Sequence, residues 1–331
     1  MTGNMNNKIL KTAIVQSPPV FFNLEETIDK FSKLLTEAKE EGAKLVVFPE
    51  TWLPGYPVWI DSAPEAALWD NHGAKNLYAA LFNNSLALDS PEFSKIAKFV
   101  YELEMYVVLG INEKSGSTLY NTIIYFDGTK KTYKIHRKLV PTYTEKLIWG
   151  RGDGSTFNYL ETPYGNIGAL ICWEHWMPFA RAVMHSFNEV IHIAQFPSVR
   201  ELHQLAARHY AFEGTTYVIG SGTVVRKSDV IEGYKSLGLR DQAGLDLLES
   251  MTPSRDGYLY DGGSCVIAPD SSYSSGPVFD KAGTVYTDIN LNNVQGEYMY
   301  LDTDGHYSRP DIFSLDVNIS EQINVNFIKK S

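Results

Sequence analysis

Short β-branched runs alternate with amphipathic segments at the start of the chain. Residues 12–16 (TAIVQ) form an apolar run that predicts a buried strand. A helix is predicted next, because Asn23 can cap its first turn, Glu26 follows at capping-box spacing and Gly42 can end it. The run KLVVFPE then predicts a second strand that leads to Glu50. The resulting β-α-β unit is typical of α/β proteins, in which ligands bind beyond the carboxyl ends of strands.

Residues 51–88 show no clear period and are rich in aromatic side chains, including Trp52, Tyr56 and Trp59. This composition predicts a long loop directly after the strand that leads to Glu50. Such a loop can form the wall of a pocket, or its aromatic side chains can simply pack beneath it. The pattern favours neither interpretation over the other.

Regular patterns return after this aromatic segment. Ser90, followed by proline, predicts the start of a helix, and residues 106–111 predict a strand. The β-rich runs YNTIIYF and KTYKIH flank an Asp-Gly pair at 127–128, which predicts a β-hairpin. The second strand of that hairpin leads directly to Lys138.

The second half of the chain resumes the alternation of strands and helices. An apolar run at 167–171 brings Cys172 to the point where the sequence becomes charged and aromatic. This change predicts a strand that ends in a sharp turn and presents a thiol. The runs EVIHIAQFP, ELHQLAARHYAFEGT and TYVIGSG then predict a strand, a helix and a strand.

The last third of the chain is less regular. Residues 226–263 are predicted to form a long loop or insertion, apart from a short helix at 243–250. The runs SCVIAPD, GPVFD and GTVYTDIN predict three consecutive antiparallel strands with turns between them. No helix is predicted in residues 305–331, which we expect to extend over a partner subunit.

Composition narrows the classes of function. The chain has 331 residues, 44% of them hydrophobic, and its 29 basic against 39 acidic residues give a net charge of −10. This balance argues against nucleic acids and anionic membranes as partners. The sequence contains no apolar run of membrane-spanning length, and its N-terminal MTGNMNNKIL does not resemble a signal peptide. We therefore expect a soluble, cytoplasmic protein.

Candidate chemistry centres on Cys172. The other cysteine, Cys265, is distant and no CxxC spacing exists, which argues against a disulfide framework or a thiolate metal site. A thiol with its ordinary pKa of roughly 8.5 needs a base or a nearby positive charge to act as a nucleophile. Glu50 and Lys138 stand at predicted strand ends and can supply these, and the backbone N–H of Trp173 can help stabilise an oxyanion.

Each of these residues also has a purely structural interpretation. Cys172 could be a small core residue, Glu50 a cap, Lys138 part of a solvated face and Glu145 a surface carboxylate. The eight histidines form neither an HExxH nor a paired HxH motif, so no metal site is predicted. We expect His175 to orient the turn at Cys172, while the large side chain of Trp173 can serve packing or a pocket wall.

Three short motifs nevertheless occur together: FPE at 48–50, HRK at 136–138 and CWEH at 172–175. In this order they resemble the three signature elements of the nitrilase superfamily. FPETWLPGYPVW, PTYTEKLIWGRGDGS, CWEHWMPFAR and GHYSRPDIF extend the similarity to residues 12–313, and resemble true nitrilases rather than amidases or carbamoylases. Within that branch, the chain is most similar to bacterial aliphatic and arylacetonitrile-type enzymes.

The resemblance implies a role for four residues. Cys172 corresponds to the nucleophile, Glu50 to the general base, Lys138 to the cation that supports the oxyanion, and Glu145 to an additional glutamate that positions the lysine and water. It also implies an α/β fold with a four-layer α-β-β-α sandwich. We expect one hydrolase domain at 1–313 and a tail at 314–331.

The resemblance also implies the substrate and the assembly. The expected reaction converts small aliphatic or aryl-substituted nitriles to carboxylic acids and ammonia, with no cofactor or metal. Two alternatives stay open: another hydrolase of the superfamily, acting on cyanide or on amides, and a non-catalytic oligomeric binding protein. The enzyme should pair across two-fold interfaces, and relatives of this type can grow into spirals or filaments. The residues predicted to line the substrate pocket are Tyr56, Trp59, Thr142, Trp149, Gln195 and Phe196.

Overall fold

The structure, a computed structural model, describes residues 8–254 and 256–323 together with 325 and 328. The strands in these residues are β1 (Ile9–Val15), β2 (Leu45–Val47), β3 (Tyr106–Ser115), β4 (Thr118–Asp127), β5 (Thr132–Arg137), β6 (Tyr159–Thr162), β7 (Gly165–Ile171), β8 (Glu189–Gln195), β9 (Tyr217–Ser221), β10 (Val224–Arg226), β11 (Tyr258–Ile267), β12 (Tyr273–Phe279) and β13 (Thr284–Asn290). The helices are α1 (Leu24–Glu40), α2 (Trp59–Ser62), α3 (His72–Asn83), α4 (Pro91–Leu103), α5 (Pro178–His185), α6 (Glu201–Glu213), α7 (Lys227–Ser236), α8 (Gln242–Glu249) and α9 (Val294–Glu297).

The strands form two sheets of similar construction. The first has the order β13-β1-β2-β3-β4-β5, and the second has the order β10-β11-β9-β8-β7-β6, with β12 paired to β11. In each sheet three strands run parallel, β1-β2-β3 in the first and β7-β8-β9 in the second. Antiparallel strands extend both sheets on either side of these parallel centres.

The alternation of side chains along the strands creates the layers. On β1, Leu10 and Ile14 belong to a core cluster shared by the two sheets, whereas Ala13 and Val15 belong to a cluster with helices α1 and α4. Helices α5 and α6 pack on the second sheet through residues such as Met184. The predicted four-layer α-β-β-α sandwich is therefore confirmed.

Local sequence signals explain the first helix and the hairpin. Asn23 Oδ1 accepts a hydrogen bond from the backbone N–H of Glu26 at 3.1 Å, and Ile28, Phe31 and Leu35 bury the apolar face of α1. Strands β4 and β5 pair as an antiparallel hairpin, as the turn residues predict. Helix α4 likewise begins after Ser90, whose side chain accepts from a backbone N–H of the first turn.

The two predicted loops are wrong in part. Residues 51–88 contain helices α2 and α3, and residues 226–263 contain α7 and α8 as well as the start of β11. Only α8 agrees with the short helix predicted at 243–250. These helices have short apolar faces that bury one another, with Leu77 of α3 and Leu248 of α8 in the same third core cluster, so neither segment shows a long helical period.

The prediction of three consecutive antiparallel strands also needs correction. Strands β11 and β12 pair as expected, but β13 crosses to the first sheet and pairs antiparallel with β1, with Ile14 opposite Val285. The short connection between β12 and β13 favours a hairpin. Instead, β13 covers the edge of the first sheet that β1 would otherwise leave unpaired. Within the described residues, no helix is long and apolar enough to cross a membrane.

Replacing Ile14 with alanine should lower the free energy of unfolding by about 2–5 kcal/mol, because it leaves a cavity in the core shared by both sheets. The matched control is Ile9→Ala on the same strand, where the side chain is 43% exposed and the expected loss is below about 1 kcal/mol. Urea denaturation followed by circular dichroism measures both values. Equal losses at the two positions would contradict this assignment of the core.

Candidate active site

Four side chains converge at the seam between the two sheets. Glu50 lies three residues beyond β2, Lys138 follows β5, and both belong to the first sheet. Cys172 follows β7 of the second sheet and begins a 3₁₀ turn, Cys172–Trp176, while Glu145 lies in another, Tyr143–Leu147. All four side chains are buried, which brings charged groups and a thiol together away from bulk water.

The backbone is strained where these side chains are presented. Cys172 has φ of +51°, Thr51 has +43° and Tyr143 has +45°. Non-glycine residues rarely adopt this left-handed conformation, and such strain tends to accumulate at functional sites. At Cys172 it produces the sharp turn that presents the thiol, as the sequence predicts.

Lys138 lies between the two glutamates. Its Nζ donates to Glu50 Oε1 at 2.9 Å and to Glu145 Oε2 at 2.6 Å. Burial lowers the pKa of Lys138, but the carboxylates of Glu50 and Glu145 outweigh that effect and raise the pKa overall. The lysine therefore stays charged, and its third N–H has no hydrogen-bond partner in the described part of the chain, so it can meet a developing negative charge.

Glu50 has one occupied and one free oxygen. Asn121 Nδ2 and Lys138 Nζ both donate to Oε1, at 2.7 and 2.9 Å, whereas the buried Oε2 has no hydrogen-bond partner among the described residues. Carboxylate oxygens of Glu50 and Glu145 and the Cys172 sulfur lie within 4.8 Å of one another. Glu50 is thus close enough to the Cys172 sulfur to exchange a proton with it, and its Oε2 is not committed to another hydrogen bond among the described residues.

The charge balance determines where that proton rests. Burial raises the pKa of Glu50 to about 7, against the opposing effect of Lys138. Burial and the nearby Glu50 also raise the pKa of the Cys172 thiol well above its ordinary value. In the resting site the proton is therefore on sulfur, and Glu50 is the group placed to remove it when the sulfur attacks.

Glu145 is itself held in place by polar contacts. Its Oε2 accepts from the backbone N–H of Thr142 at 2.7 Å, and its Oε1 accepts from the Tyr56 hydroxyl at 3.0 Å. These bonds fix the second carboxylate against Lys138. Cysteine and two carboxylates are also possible metal ligands, but here the Lys138 ammonium supplies the positive charge between the carboxylates. The expectation of a metal-free site stays a prediction.

Polar contacts fix the turn after Cys172 on both sides. The backbone N–H of Trp173 lies near the Cys172 sulfur and lowers the pKa of the thiol, and His175 Nδ1 lies 2.7 Å from the carbonyl oxygen of Cys172. Trp173 and His175 thus lie where elbow support is expected. The sequence did not indicate Glu174, whose carboxylate accepts from the backbone N–H groups of Ile171 at 2.7 Å and Leu139 at 2.8 Å.

Glu174 therefore joins the strand end that carries Cys172 to the strand end that carries Lys138. It also contacts His136 Nε2 at 3.0 Å. Burial alone would raise the pKa of Glu174, but His136 and the two backbone N–H groups lower it. The position of Glu174 within the CWEH motif was a signal for its role at the turn. Nothing in the sequence pattern distinguished Asn121, which donates to Glu50.

A cavity of about 190 Å³ opens onto Cys172. Of the predicted pocket residues, Tyr56 and Thr142 line it, and so does Trp173. The sequence did not predict the remaining lining residues individually: Asp61, Tyr143, Thr144, Pro197, Ser198, Arg200, His203 and Tyr260. Most come from segments without a clear period. His203 lies on the predicted helix α6, but the helical pattern does not show which of its side chains faces a cavity.

The other four predicted pocket residues lie outside this lining. Trp59 and Trp149 are buried in the third core cluster, where Trp149 Nε1 donates to an asparagine at 2.9 Å. Gln195 lies behind the site and donates to the backbone carbonyl of Phe48 at 2.7 Å. Phe196 packs against the ring of His175. Aromatic composition alone does not separate a pocket wall from core packing.

Comparison with known proteins agrees with this geometry. Residues 11–296 match the family model described as carbon-nitrogen hydrolase. The chain belongs to the carbon-nitrogen hydrolase family. It is 33% identical to the bifunctional nitrilase/nitrile hydratase NIT4A of Lupinus angustifolius, over 96% of this chain and 88% of that protein. It is 32% identical to nitrilase 2 of Arabidopsis thaliana, over 99% and 94% of the two chains.

Solved structures of the carbon-nitrogen hydrolase family share the fold. A carbon-nitrogen hydrolase from Helicobacter pylori G27 superposes with a TM-score of 0.64 at 17% identity, covering 93% of this chain and 97% of that one. Nit3 of Saccharomyces cerevisiae, from branch 10 of the nitrilase superfamily, gives 0.60 at 16% identity, covering 90% and 96%. The chain is thus a hydrolase of carbon–nitrogen bonds, of the nitrilase type.

The charge balance at Glu50 leads to a prediction that needs no substrate. Alkylation of Cys172 by iodoacetamide should accelerate as the pH rises through about 7, because Glu50 then ionises and can accept the thiol proton. Glu50→Gln should lower the rate at pH 8 by about 100-fold. Peptide mass spectrometry measures labelling at each cysteine over time.

Cys265 is an internal control in the same experiment. It is also buried, and burial raises its pKa to about 12, but no carboxylate base accompanies it. It should stay unlabelled between pH 6 and 9 on the same timescale. If Glu50→Gln kept the wild-type pH dependence at Cys172, Glu50 would not be the base.

Proposed function

We propose that this enzyme is a nitrilase that hydrolyses small aliphatic or aryl-substituted nitriles to carboxylic acids and ammonia. One observation carries the proposal: Glu50, Lys138, Glu145 and Cys172 form one buried cluster, and Glu145 and Cys172 of that cluster line a cavity. The cluster pairs a thiol with a free carboxylate oxygen and a fixed cation. That combination suits covalent attack on an electrophilic carbon bonded to nitrogen.

The reaction begins with attack on the nitrile carbon. The Cys172 sulfur forms a bond to that carbon while Glu50 takes the thiol proton and passes it to the nitrile nitrogen, which gives a thioimidate. The Lys138 ammonium and the backbone N–H of Trp173 both lower the pKa of the Cys172 thiol, and they can stabilise the negative charge that develops on the substrate. Glu50 then activates a water molecule, whose addition gives a tetrahedral intermediate with hydroxyl and amino groups.

Two fates are open to the tetrahedral intermediate. If a proton reaches the amino group, ammonia leaves and a thioester remains, which a second water hydrolyses to the acid and free Cys172. If the carbon–sulfur bond breaks first, an amide is released. Glu50 can move the proton that either route requires, and Glu145 holds the Lys138 ammonium in place.

Amide formation is the second candidate output. The names of relatives such as NIT4A include both nitrilase and nitrile hydratase, which supports the view that one site can release either product. The same nucleophile, base and cation serve both routes. The ratio of amide to acid then measures how fast the amino group is protonated relative to departure of the thiol.

The size and lining of the cavity favour small substrates. Its volume of about 190 Å³ leaves room for a compact organic molecule, and its walls combine the aromatic rings of Tyr56, Trp173 and Tyr260 with polar groups. The rings can contact an aliphatic or aryl substituent, while the nitrile carbon points to Cys172. Hydrolysis of cyanide or amides stays an alternative that the same substrate panel tests.

A homo-oligomer is part of this proposal. Six large apolar side chains are 38–73% exposed on the 3₁₀ turn after Cys172 and on helices α5 and α6. They are Trp173, Trp176, Phe179, Leu202, Leu205 and Phe212. Such an exposed apolar surface is typical of subunit interfaces, so we propose a two-fold dimer across α5 and α6, the unit from which spirals or filaments can grow.

The C-terminal segment fits the same assembly. We propose that residues 1–313 form one hydrolase domain and 314–331 a tail at the subunit interface. The backbone N–H of Gln322 donates to Asp153 Oδ2 at 2.8 Å, which places the tail along its own protomer. Its alternate side chains Leu315, Val317 and Ile319 remain exposed and can contact a second subunit. The proposed location is the cytoplasm.

Cys172→Ala should abolish release of both ammonia and amide, because no other thiol lines the cavity. The measurement is ammonia release from a panel of benzonitrile, phenylacetonitrile, an aliphatic dinitrile, cyanide and the matching amides. Wild-type enzyme with a slow nitrile should gain a covalent mass on the peptide that contains Cys172. Cys265→Ala is the matched control and should keep wild-type turnover.

Several results would contradict the proposed function. Turnover that survives in Cys172→Ala would remove the nucleophile from the mechanism. A panel in which only amides or only cyanide react would move the enzyme to one of the alternative substrate classes. Absence of both turnover and adduct would indicate a binding protein that retains the fold.

The dimer is tested by one substitution on the exposed patch. Phe179→Asp should convert the assembly to monomers at micromolar concentrations, because a buried unpaired carboxylate strongly disfavours association. Leu239→Asp is the control, since Leu239 is similarly apolar, 52% exposed and outside the patch. Size-exclusion chromatography with light scattering measures the mass, and an unchanged mass for Phe179→Asp would exclude this surface.

A further inference from the structure

A chain of buried polar side chains extends behind Cys172, on the side away from the substrate cavity. His175 Nδ1 lies 2.7 Å from the carbonyl oxygen of Cys172, and His175 Nε2 lies 3.0 Å from His192 Nε2. His192 Nδ1 in turn lies 3.0 Å from a carboxyl oxygen of Glu189. His192 and Glu189 belong to β8, the strand beside the one that carries the nucleophile, and neither lines the cavity.

The geometry fixes where the protons lie. A carbonyl oxygen can only accept, so His175 must carry a hydrogen on Nδ1, and its Nε2 is then an acceptor in the neutral ring. His192 must therefore donate from Nε2, which leaves its own Nδ1 as an acceptor. If every side chain in this series is neutral, all of the hydrogen bonds can form only when the carboxyl group of Glu189 is protonated and donates to His192.

The surroundings of Glu189 support this neutral arrangement. The carboxyl group is buried and accepts a hydrogen bond from the Tyr210 hydroxyl, while His185 Nδ1 lies 3.9 Å from its Oε1. The ring of Tyr210 stacks on His192 with centroids 3.7 Å apart. Burial raises the pKa of Glu189 to about 8 and lowers the pKa of His175 to about 3. Gly168 opposite has no side chain, and a Cβ there would lie 1.9 Å from Glu189 Oε2.

The chain ends on a peptide group that takes part in the reaction. The carbonyl of Cys172 and the N–H of Trp173 belong to one planar trans unit and point in opposite directions. A donor that fixes the carbonyl therefore also fixes the direction of the N–H, and it polarises the N–H as a donor. That N–H lies near the Cys172 sulfur, whose pKa it lowers, and so near the substrate atom on which negative charge develops when the sulfur attacks.

We propose that His192 and Glu189 are positioning residues, which hold His175 as the hydrogen-bond donor to the Cys172 carbonyl and so aim the Trp173 N–H at the substrate. They act through His175 and do not touch the substrate. The proposal rests on the proposed nitrile hydrolysis, since it concerns the anionic intermediate of that reaction. It gives a function to three buried polar side chains, His175, His192 and Glu189, whose burial would otherwise only lower the stability of the core.

The first test compares two substitutions at one position. His192→Phe keeps a ring against Tyr210 but has no hydrogen to donate, so kcat for nitrile hydrolysis should fall about 30-fold while KM changes less than about threefold. His192→Gln has an amide that can donate near the position of Nε2 and should restore kcat to within about fivefold of wild type. A merely structural role would not produce recovery with glutamine.

The second test examines the proton on Glu189. Glu189→Gln has nearly the same shape, and its amide can donate to His192 as the protonated acid does, so kcat should stay within about threefold of wild type. Glu189→Leu has no donor and should lose about as much kcat as His192→Phe. If Glu189 instead worked as an ionised partner of a charged His192, Glu189→Gln would be as impaired as Glu189→Leu, which would overturn the proposed proton arrangement.

Tyr125→Phe is the matched control for general damage. The Tyr125 hydroxyl donates to the carbonyl of Ala169 at 3.1 Å. This variant therefore removes a buried hydrogen bond to the strand that precedes Cys172, but none of the hydrogen bonds that link Glu189, His192 and His175. Its kcat should stay within about twofold of wild type. The pH at which kcat/KM rises should remain near 7 in all variants, because Glu50 is unchanged.

The outcomes separate this proposal from the proposed function. Wild-type enzyme without turnover on any nitrile would refute nitrile hydrolysis itself. Wild-type turnover with an unaffected His192→Phe, or equal losses in His192→Phe, His192→Gln and Tyr125→Phe, would overturn the positioning role alone. Thermal unfolding accompanies each assay, and if His192→Phe does not fold, the Glu189 pair decides the question.

Discussion

The buried ammonium of Lys138 is the interaction on which the site depends. Two carboxylates and one lysine lie together out of contact with water, with Nζ to oxygen distances of 2.9 and 2.6 Å. Removing one member of such a group leaves an uncompensated buried charge. The free-energy cost of that charge is far larger than the stabilisation that the complete group provides. Lys138 therefore fixes the orientation of both glutamates, and it also limits how far the pKa of Glu50 can rise.

The two-sheet architecture makes this arrangement possible. Glu50 and Lys138 come from one sheet and Cys172 from the other, so the geometry of the candidate site depends on how the sheets are held together. Glu174 binds backbone groups at both strand ends, and Gln195 crosses from β8 to the carbonyl of Phe48. These contacts hold the strained backbone of Cys172, whose conformation would otherwise relax.

The sequence predicted the elements that depend on local signals. The cap at Asn23 and the Asp-Gly turn of the hairpin act on neighbouring residues, and the motifs around Glu50, Lys138 and Cys172 carry a family pattern. It did not predict which aromatic side chains face the cavity, because Trp59 and Tyr56 differ only in what packs against them. Helix α3 was missed for the same reason, since its short apolar face is buried by a segment far along the chain.

The pairing of β13 with β1 has a consequence for how the protein is made. During synthesis β1 emerges first, but the strand that covers its open edge appears only when residues 284–290 have left the ribosome. Until then the nascent chain exposes the unpaired backbone groups of β1, a template for incorrect pairing with other chains. Strand β13 therefore completes the first sheet, and it can do so only after almost the whole polypeptide has been synthesised.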